Sequence, residues 1–329
     1  MFTKDRLLLL LKEKRGIWVS GELLSNKLAV SRSAIWKHVG KLRDEGYIIE
    51  SFPRKGYLFK KASDLLLANE IREGLDTRVF GQGDIIYVEE LDSTNKKAKA
   101  LASNGAPEGT LVISEMQTNG RGRIGRSWFS SPRDGIYASF VLRPSISPRE
   151  APGITFLTAV SVAEALLSLV QLDVRIKWPN DILVNGRKLA GILTEMSAEI
   201  DKVDYVIVGL GMNINTSFDT FPREIRETAT SIFILTGVKF PRIEVVRAYL
   251  HWYEKYYDMV KKEGFRPVFQ RWKELSDTIG QRVVIDVPGK KQVGKVVDID
   301  NDGALILRDD QGVRHRFFSG DVTHLRPQV

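Results

Sequence analysis

Gly120-Arg121-Gly122-Arg123-Ile124-Gly125-Arg126 places three arginines in a glycine-rich loop that follows the apolar run Leu111-Val112-Ile113. Glycine permits left-handed or tightly turned backbone, so successive N–H groups can converge on one anion, and arginine adds forked, charged donors. The chemistry suited to such a loop is the handling of a phosphate or a carboxylate. Its glycines also satisfy G-x-G-x-x-G, but a dinucleotide site needs a helix straight after the loop and an acid about 20 residues further on. Here Ser127-Trp128-Phe129-Ser130-Ser131-Pro132 follows, then a strand-like alternation from Gly135 to Arg143 with no acid at its end, and the chain has no Walker sequence. The dinucleotide reading falls away; a basic surface loop that touches no ligand stays as the alternative.

Three more clusters carry chemical groups. Lys177-Trp178-Pro179-Asn180-Asp181 sets a lysine, an amide and a carboxylate around a strand-stopping proline. A carboxylate at such a bend can hold Mg²⁺ or orient an amine, or it is the exposed acid of a hairpin corner. Lys188 opens the next run beside the turn Asn185-Gly186, near Ala190 and Gly191. It can neutralise charge in a site or be an ordinary strand-end lysine. Gly209-Leu210-Gly211-Met212-Asn213 closes an apolar run with glycines that permit close ligand approach, or a β-bulge.

The elements that position these groups mix helices with hairpins. Strand patterns cover Ile85 to Val88, Leu111 to Glu115, Ile136 to Leu142, Val174 to Trp178, Ile182 to Val184, Lys188 to Met196 and Tyr205 to Asn213. Helical patterns run from Ser93-Thr94-Asn95 to about Asn104, from Pro152 to Leu172 and from Ile243 to Glu263. Hairpins after helices indicate an α+β body rather than a doubly wound sheet. After Trp272 come short strands at Gln281 to Val287, Val293 to Ile299, Ala304 to Leu307 and Val313 to Phe318, with turns at Pro288-Gly289 and Asn301-Asp302-Gly303. These make a small SH3-like β-barrel, in which His315 and His324 read as surface residues because neither has a partner at metal-binding spacing.

The amino-terminal fifth is different. Residues 1–62 hold 14 Lys and Arg against 6 Asp and Glu, which accounts for the whole net charge of +8 and leaves the remainder neutral. Such asymmetry points to a small module that faces a polyanion. Ser20 to Leu28 reads as a short helix, and Ser31 caps a second one in which Ile35, Val39 and Leu42 form the buried stripe. Its other face carries Arg32, Ser33, Trp36, Lys37 and Lys41, and a hairpin turns at Pro53-Arg54-Lys55-Gly56. This is the pattern of a winged helix-turn-helix, whose recognition helix would enter a major groove while Arg54 and Lys55 ride on the wing. A packing module with a solvated basic face, or a protein-docking surface, is the competing interpretation.

The 329 residues suffice for three domains, here 1–62, 63–275 and 276–329, with 43% apolar content for a substantial core. The lack of cysteine removes disulfides and any covalent thioester route and leads to the expectation of a reducing, cytoplasmic setting. The early apolar run, Leu7 to Leu11, is far short of the about 20 residues that span a bilayer. A soluble protein without membrane partners is expected.

In combination, Ser93-Thr94-Asn95, Gln117 ahead of the arginine loop, Lys177 to Asp181, Arg187-Lys188-Leu189-Ala190-Gly191-Ile192-Leu193 and Gly209 to Asn213 resemble the biotin protein ligases over nearly the whole chain. With the amino-terminal module, the chain is similar to the bifunctional type that is both ligase and biotin operon repressor. The resemblance implies a central mixed-sheet domain of the biotin/lipoate ligase type and a two-step reaction. Biotin and MgATP give biotinoyl-5′-AMP and pyrophosphate, and a lysine of the biotin carboxyl carrier protein of acetyl-CoA carboxylase, or of a similar domain, takes the biotinoyl group. It further implies that Ser93, Thr94, Asn95, Gln117, Arg121, Gly122 and Arg123 contact biotin or its activated carboxyl. Lys188 would stabilise carboxylate and phosphate charge, and Asp181 would assist Mg²⁺ or the incoming lysine. Arg121, Arg123, Arg126, Trp128, Asn180 and Asn213 would serve the nucleotide. Catalysis is thereby assigned to Lys188, Arg123 and Asp181. Many relatives have arginine where this chain has Ile124, so no family role transfers to that position. As corepressor, biotinoyl-AMP would order the loop, which is expected to be mobile without ligand, and favour a homodimer on a palindromic operator. The alternatives are a ligase whose first module binds no DNA, a DNA-binding sensor without catalysis, and a lipoate-type ligase.

Overall fold

The computed structural model describes residues 3–287 and 290–325, so the turn expected at Pro288-Gly289 lies outside the described residues. Two compact units divide between Glu73 and Gly74.

In the first unit, α1 (Thr3–Glu13), α2 (Gly21–Leu28) and α3 (Arg32–Asp44) precede the antiparallel hairpin β1 (Ile48–Phe52) and β2 (Gly56–Lys61), and α4 (Ala68–Arg72) closes it. Ser20 and Ser31 cap α2 and α3 by accepting from the backbone N–H groups of Leu23 and Ala34, at 3.1 and 3.2 Å. That contact supplies a partner to an otherwise unpaired helical donor. Ile35, Val39 and Leu42 are buried against Leu7, Leu11, Leu24 and Phe59. Within the run from Leu7 to Leu11, Leu7, Leu8 and Leu11 form the buried face of α1, while Leu9 is exposed. Beyond residue 62, Glu70 on α4 accepts from the Tyr47 hydroxyl at 2.7 Å and pairs with Lys12 at 2.5 Å, within the same unit.

The second unit contains β3 (Ile85–Leu91), α5 (Thr94–Ser103), β4 (Leu111–Gln117), β5 (Gly135–Leu142), α6 (Gly153–Leu169), β6 (Val174–Lys177), β7 (Asp181–Val184), β8 (Arg187–Ala198) and β9 (Val203–Asn213). Short helices α7 (Arg223–Arg226) and α8 (Ile232–Thr236) lead to α9 (Arg242–Glu263) and α10 (Arg266–Leu275). The last strands are β10 (Arg282–Val287), β11 (Lys290–Ile299), β12 (Leu305–Arg308), β13 (Arg314–Phe317) and β14 (Asp321–His324).

Seven strands form one mixed sheet in the order β3-β4-β5-β9-β8-β7-β6, parallel only between β3 and β4. Central strand β5 is buried at every position, as a strand covered on both faces must be. Ala98 and Ala102 of α5 pack on Val112, Val141 and Ile207. Helix α6 is apolar nearly all round and is enclosed by sheet and helices, which its composition requires. It ends at Leu169, three residues short of the expected Leu172. The carboxyl-terminal strands form an antiparallel, SH3-like sheet in the order β13-β12-β11-β10-β14. His315 and His324 lie at the surface, each partly exposed. Each faces a carboxylate, Asp309 at 2.6 Å and Asp277 at 3.4 Å.

Candidate functional site

The strand register gathers the chemical motifs onto one face of the mixed sheet. Partners across a ladder share a face, and residues two apart on a strand do too. Gly209 opposes Ser139 and Leu193, Gly211 opposes Gly191, Gly191 opposes Asp181, and Asp181 opposes Lys177. A register shift between Ile182 and Leu183 sets Lys188 opposite Leu183. Without that irregularity Lys188 would fall opposite Val184 and point to the other face; with it, Lys188 joins Asp181. Its ammonium lies 2.7 Å from Asp181 Oδ1.

Above this face lies a cavity of about 240 Å³. One end is polar and buried. Ser139 Oγ donates to Asn95 Oδ1 at 2.6 Å and contacts Thr94 Oγ1 at 2.7 Å. Gln117 Oε1 accepts from the Thr94 N–H at 2.8 Å, and Asn95 Nδ2 donates to Glu195 Oε2 at 2.8 Å. Ser93 also lines this end and is itself buried. Gly209 is required here, because a Cβ would overlap the Asn95 amide.

The middle is walled by Trp128. Its indole lies on Gly211 and Gly191, where a side chain on either glycine would collide with the ring, and Lys188 Nζ stands 5.5 Å from its centroid. Trp128 Nε1 is buried with no hydrogen-bond partner among the described residues. Such a donor costs free energy until something accepts from it.

The arginine loop covers the cavity. Arg121, Gly122, Arg123 and Arg126 all line it. Arg123 Nη1 donates to Asn180 Oδ1 at 3.2 Å, while Asn180 Nδ2 donates to Ile192 O at 2.8 Å. Burial pulls the Arg123 guanidinium below its usual value, with Asp321 and Asp181 acting in the other direction. The left-handed positions are Ile124 (φ 52°) and Gly125 (φ 72°), whereas Gly122 is extended. Gly120 is needed for a different reason: a Cβ there would meet the Trp128 carbonyl oxygen at 2.6 Å. Ile124 is exposed and does not line the cavity.

The Trp178–Pro179 turn is pinned from the carboxyl-terminal segment, since the Trp178 N–H donates to Thr278 Oγ1 at 3.0 Å. From β14, Asp321 enters the cavity and pairs with Arg126. Glu195 stands behind Asn95 and 3.8 Å from Arg121. Sequence reasoning missed Asp321 and Glu195. Nothing local marks an acid on a short terminal strand, but Glu195 follows Gly191 and Leu193 at period 2 and so shares their face. Asn213 is buried at the end of β9 opposite Gly135 and does not line the cavity. No group of three or more His, Asp or Glu side chains positioned to hold a metal occurs among the described residues.

In the first unit, Arg32, Ser33, Trp36, Lys37, Lys41, Arg54 and Lys55 are exposed, Trp36 by 66%. Arg32 and Arg54 line one groove between α3 and the wing, and Arg32 is held by Glu22 at 2.8 Å. Lys55 Nζ lies 5.4 Å from the ring of Phe52 and 5.9 Å from that of Trp18.

Three family descriptions match the chain: an HTH domain at residues 3–58, the biotin/lipoate A/B protein ligase family at 87–213, and a biotin protein ligase C terminal domain at 278–325. The chain is 42% identical over 305 residues, 93% of either chain, to the bifunctional ligase/repressor BirA of Bacillus spizizenii. It is 31% identical over 312 residues to the protein of that name from Escherichia coli, covering 94% of this chain and 93% of the relative. Among solved structures it is similar to the biotin protein ligase from Aquifex aeolicus in complex with biotin and ATP. The TM-score there is 0.64 at 29% identity, covering 74% of this chain and 99% of that one.

Proposed function

Because this chain belongs to the biotin protein ligase family, in its bifunctional ligase/repressor form, we propose that it joins biotin to ATP as biotinoyl-5′-AMP and passes the biotinoyl group to a lysine of a biotin carboxyl carrier protein. With the adenylate retained, it represses biotin genes. The observation that carries this reading is one cavity that combines a buried polar end, an unsatisfied indole donor and a cationic cover.

Adenylation brings together two anions, a carboxylate and a triphosphate. Their repulsion is offset only by donors already in place, in a site that excludes water. In this reading Ser93, Thr94, Asn95 and Gln117 hold the biotin head group, and Arg121, Gly122 and Arg123 close over its carboxylate. Lys188 stands where that carboxylate meets the α-phosphate. A carboxylate oxygen forms the new bond to phosphorus while pyrophosphate departs with the electron pair of the broken bond. Trp128 Nε1 supplies a donor to the adenylate, and Arg126 and Asn180 fix the arginine loop. Asn213 lies on the same face of β9 as Gly211, outside the cavity lining, at the nucleotide side.

Asp181 pairs with Lys188 at 2.7 Å, and its carboxylate is the group here that would assist the magnesium of MgATP, which needs only one or two protein oxygens beside the phosphates. The neutral acceptor amine then attacks the carbonyl carbon of the mixed anhydride, the acyl C–O bond breaks with its electron pair leaving on the phosphate of AMP, and the surplus proton of the new amide nitrogen passes by way of the Asp181 carboxylate to solvent.

The first unit is the operator-binding module, with α3 in the major groove and the wing alongside. Occupied copies pair as homodimers on a palindromic site, in a cytoplasmic setting. The operator-binding module extends past the expected boundary at residue 62 to take in α4 and ends at Glu73, and the ligase and carboxyl-terminal modules are 74–275 and 276–329. Incubation with ATP and either biotin or lipoate, followed by mass analysis of the bound fraction, tests the reading. Biotinoyl-AMP is expected with biotin and no adenylate with lipoate; the reverse would refute it.

A further inference from the structure

Lys177 stands at the far end of the row that runs across the sheet from Gly211 through Gly191 and Asp181. It lines the same cavity. The other cations there are engaged: Lys188 by Asp181, Arg126 by Asp321, Arg121 by Glu195 and Arg123 by Asn180. Among the described residues, the Lys177 ammonium has no hydrogen-bond or ion-pair partner. It is also half-buried, and burial, with Lys188, holds it below the usual lysine value although Asp181, Asp277 and Asp321 pull the other way from beyond ion-pair distance. A desolvated, unpaired ammonium gains more from an arriving anion than a solvated one does.

Position decides which anion. The polar end of the cavity rests on β5 and β9, and Lys188 stands on β8. Strands are about 4.8 Å apart, so β6 lies two spacings, about 10 Å, beyond the strand of Lys188. If the carboxylate and the α-phosphate meet at Lys188, what continues toward β6 is either the nucleoside or the terminal phosphates. The unsatisfied donor and aromatic face of Trp128 lie back over β8 and β9 and suit the nucleoside. The β6 end offers a lysine, with Arg123 and Arg126 above it.

We infer that Lys177 is a further substrate-contacting residue, which holds the β- and γ-phosphates of ATP and then the departing pyrophosphate. This rests on the ligase reading. As the bond from the α-phosphorus to its bridging oxygen breaks, the electron pair goes to the pyrophosphate, and Lys177 stabilises the charge that gathers there.

The test uses the full chain, inorganic pyrophosphate as the probe, and Lys177→Met beside Lys177→Arg. Pyrophosphate inhibition of adenylate formation is titrated, and biotin affinity is measured calorimetrically. Lys177→Met is expected to weaken pyrophosphate inhibition by about tenfold or more, as loss of a charge-assisted contact does, with biotin affinity unchanged. Lys177→Arg, which keeps the charge, is expected to recover most of the inhibition. Unaltered inhibition in Lys177→Met would overturn the inference, and so would a parallel loss of biotin affinity, the mark of a packing role. Failure of the wild-type chain to form any adenylate would instead bring down the ligase reading, and this one with it.

Discussion

Lys188 and Asp181 face each other at 2.7 Å only because the β7–β8 ladder slips by one residue between Ile182 and Leu183. The pairing fixes the ammonium where two substrate anions must meet. Lys188→Gln is expected to slow adenylate formation by about two to three orders of magnitude, the scale for removing a preorganised charge at a reacting centre. Single-turnover rates at saturating ATP would show it, and a rate within threefold of wild type would remove Lys188 from the chemistry.

Arg123 reaches across the cavity to Asn180 at 3.2 Å and ties the arginine loop to the turn after β6. Arg123→Gly removes that tie together with a donor over the adenylate. Faster release of biotinoyl-AMP is expected, with labelling of bystander lysines. An unchanged adenylate off-rate in a filter-binding assay would refute the clamp.

Gly209 has no room for a side chain, because its neighbour is the Asn95 amide that also contacts Ser139 and Glu195. Gly209→Ala is expected to displace Asn95 and to destabilise the chain by about 1–3 kcal/mol, the range for overpacking. Biotin affinity falls with it. Calorimetric titration that finds wild-type affinity would show that Asn95 does not hold biotin.

Glu254 on α9 accepts from three consecutive backbone N–H groups, those of Arg78, Val79 and Phe80, at 2.6, 2.8 and 3.1 Å. Burial raises its pKa, but those bonds together with Arg78 lower it further, and the net direction is downward. A carboxyl depressed in the folded state contributes stability above its unfolded pKa of about 4.3 and loses that contribution as pH falls through the folded value. Glu254→Gln is therefore expected to lower Tm at pH 7 and to differ progressively less from wild type below about pH 4. A Tm difference independent of pH would contradict this assignment.

For the amino-terminal module, Lys37→Ala and Lys41→Ala are each expected to weaken operator binding uniformly and to reduce the salt slope by about one. Trp36→Ala would change preference between operator sequences. Gel shifts of biotin-promoter DNA, with and without biotin plus ATP, measure both effects. No adenylate-dependent shift at moderate salt would remove the repressor role.

Much of this molecule is legible in the sequence, wherever local pattern and tertiary demand agree. Ser31 ahead of Ile35, Val39 and Leu42 specifies a capped helix with one buried stripe, and Asn185-Gly186 specifies the turn between β7 and β8. The arginine loop announces its anion chemistry, yet not its backbone: one of its two left-handed residues is Ile124, which no propensity selects, and Gly120 answers to Trp128 eight residues away. Face assignment was legible for Gly191 and Gly211. It was not for Lys188, because a one-residue register shift leaves no local signature and reverses the side on which a lysine emerges. Asp321 reaches the cavity only through the packing of a distant sheet.

The most direct test of the ligase at the centre of this account is the intact mass of an apo biotin carboxyl carrier protein after incubation with the full chain, biotin and ATP. A gain of one biotinyl group is expected, dependent on both small molecules and abolished by Lys188→Gln. A carrier left unmodified by the wild-type chain, or modified equally well by the Lys188 variant, would contradict it.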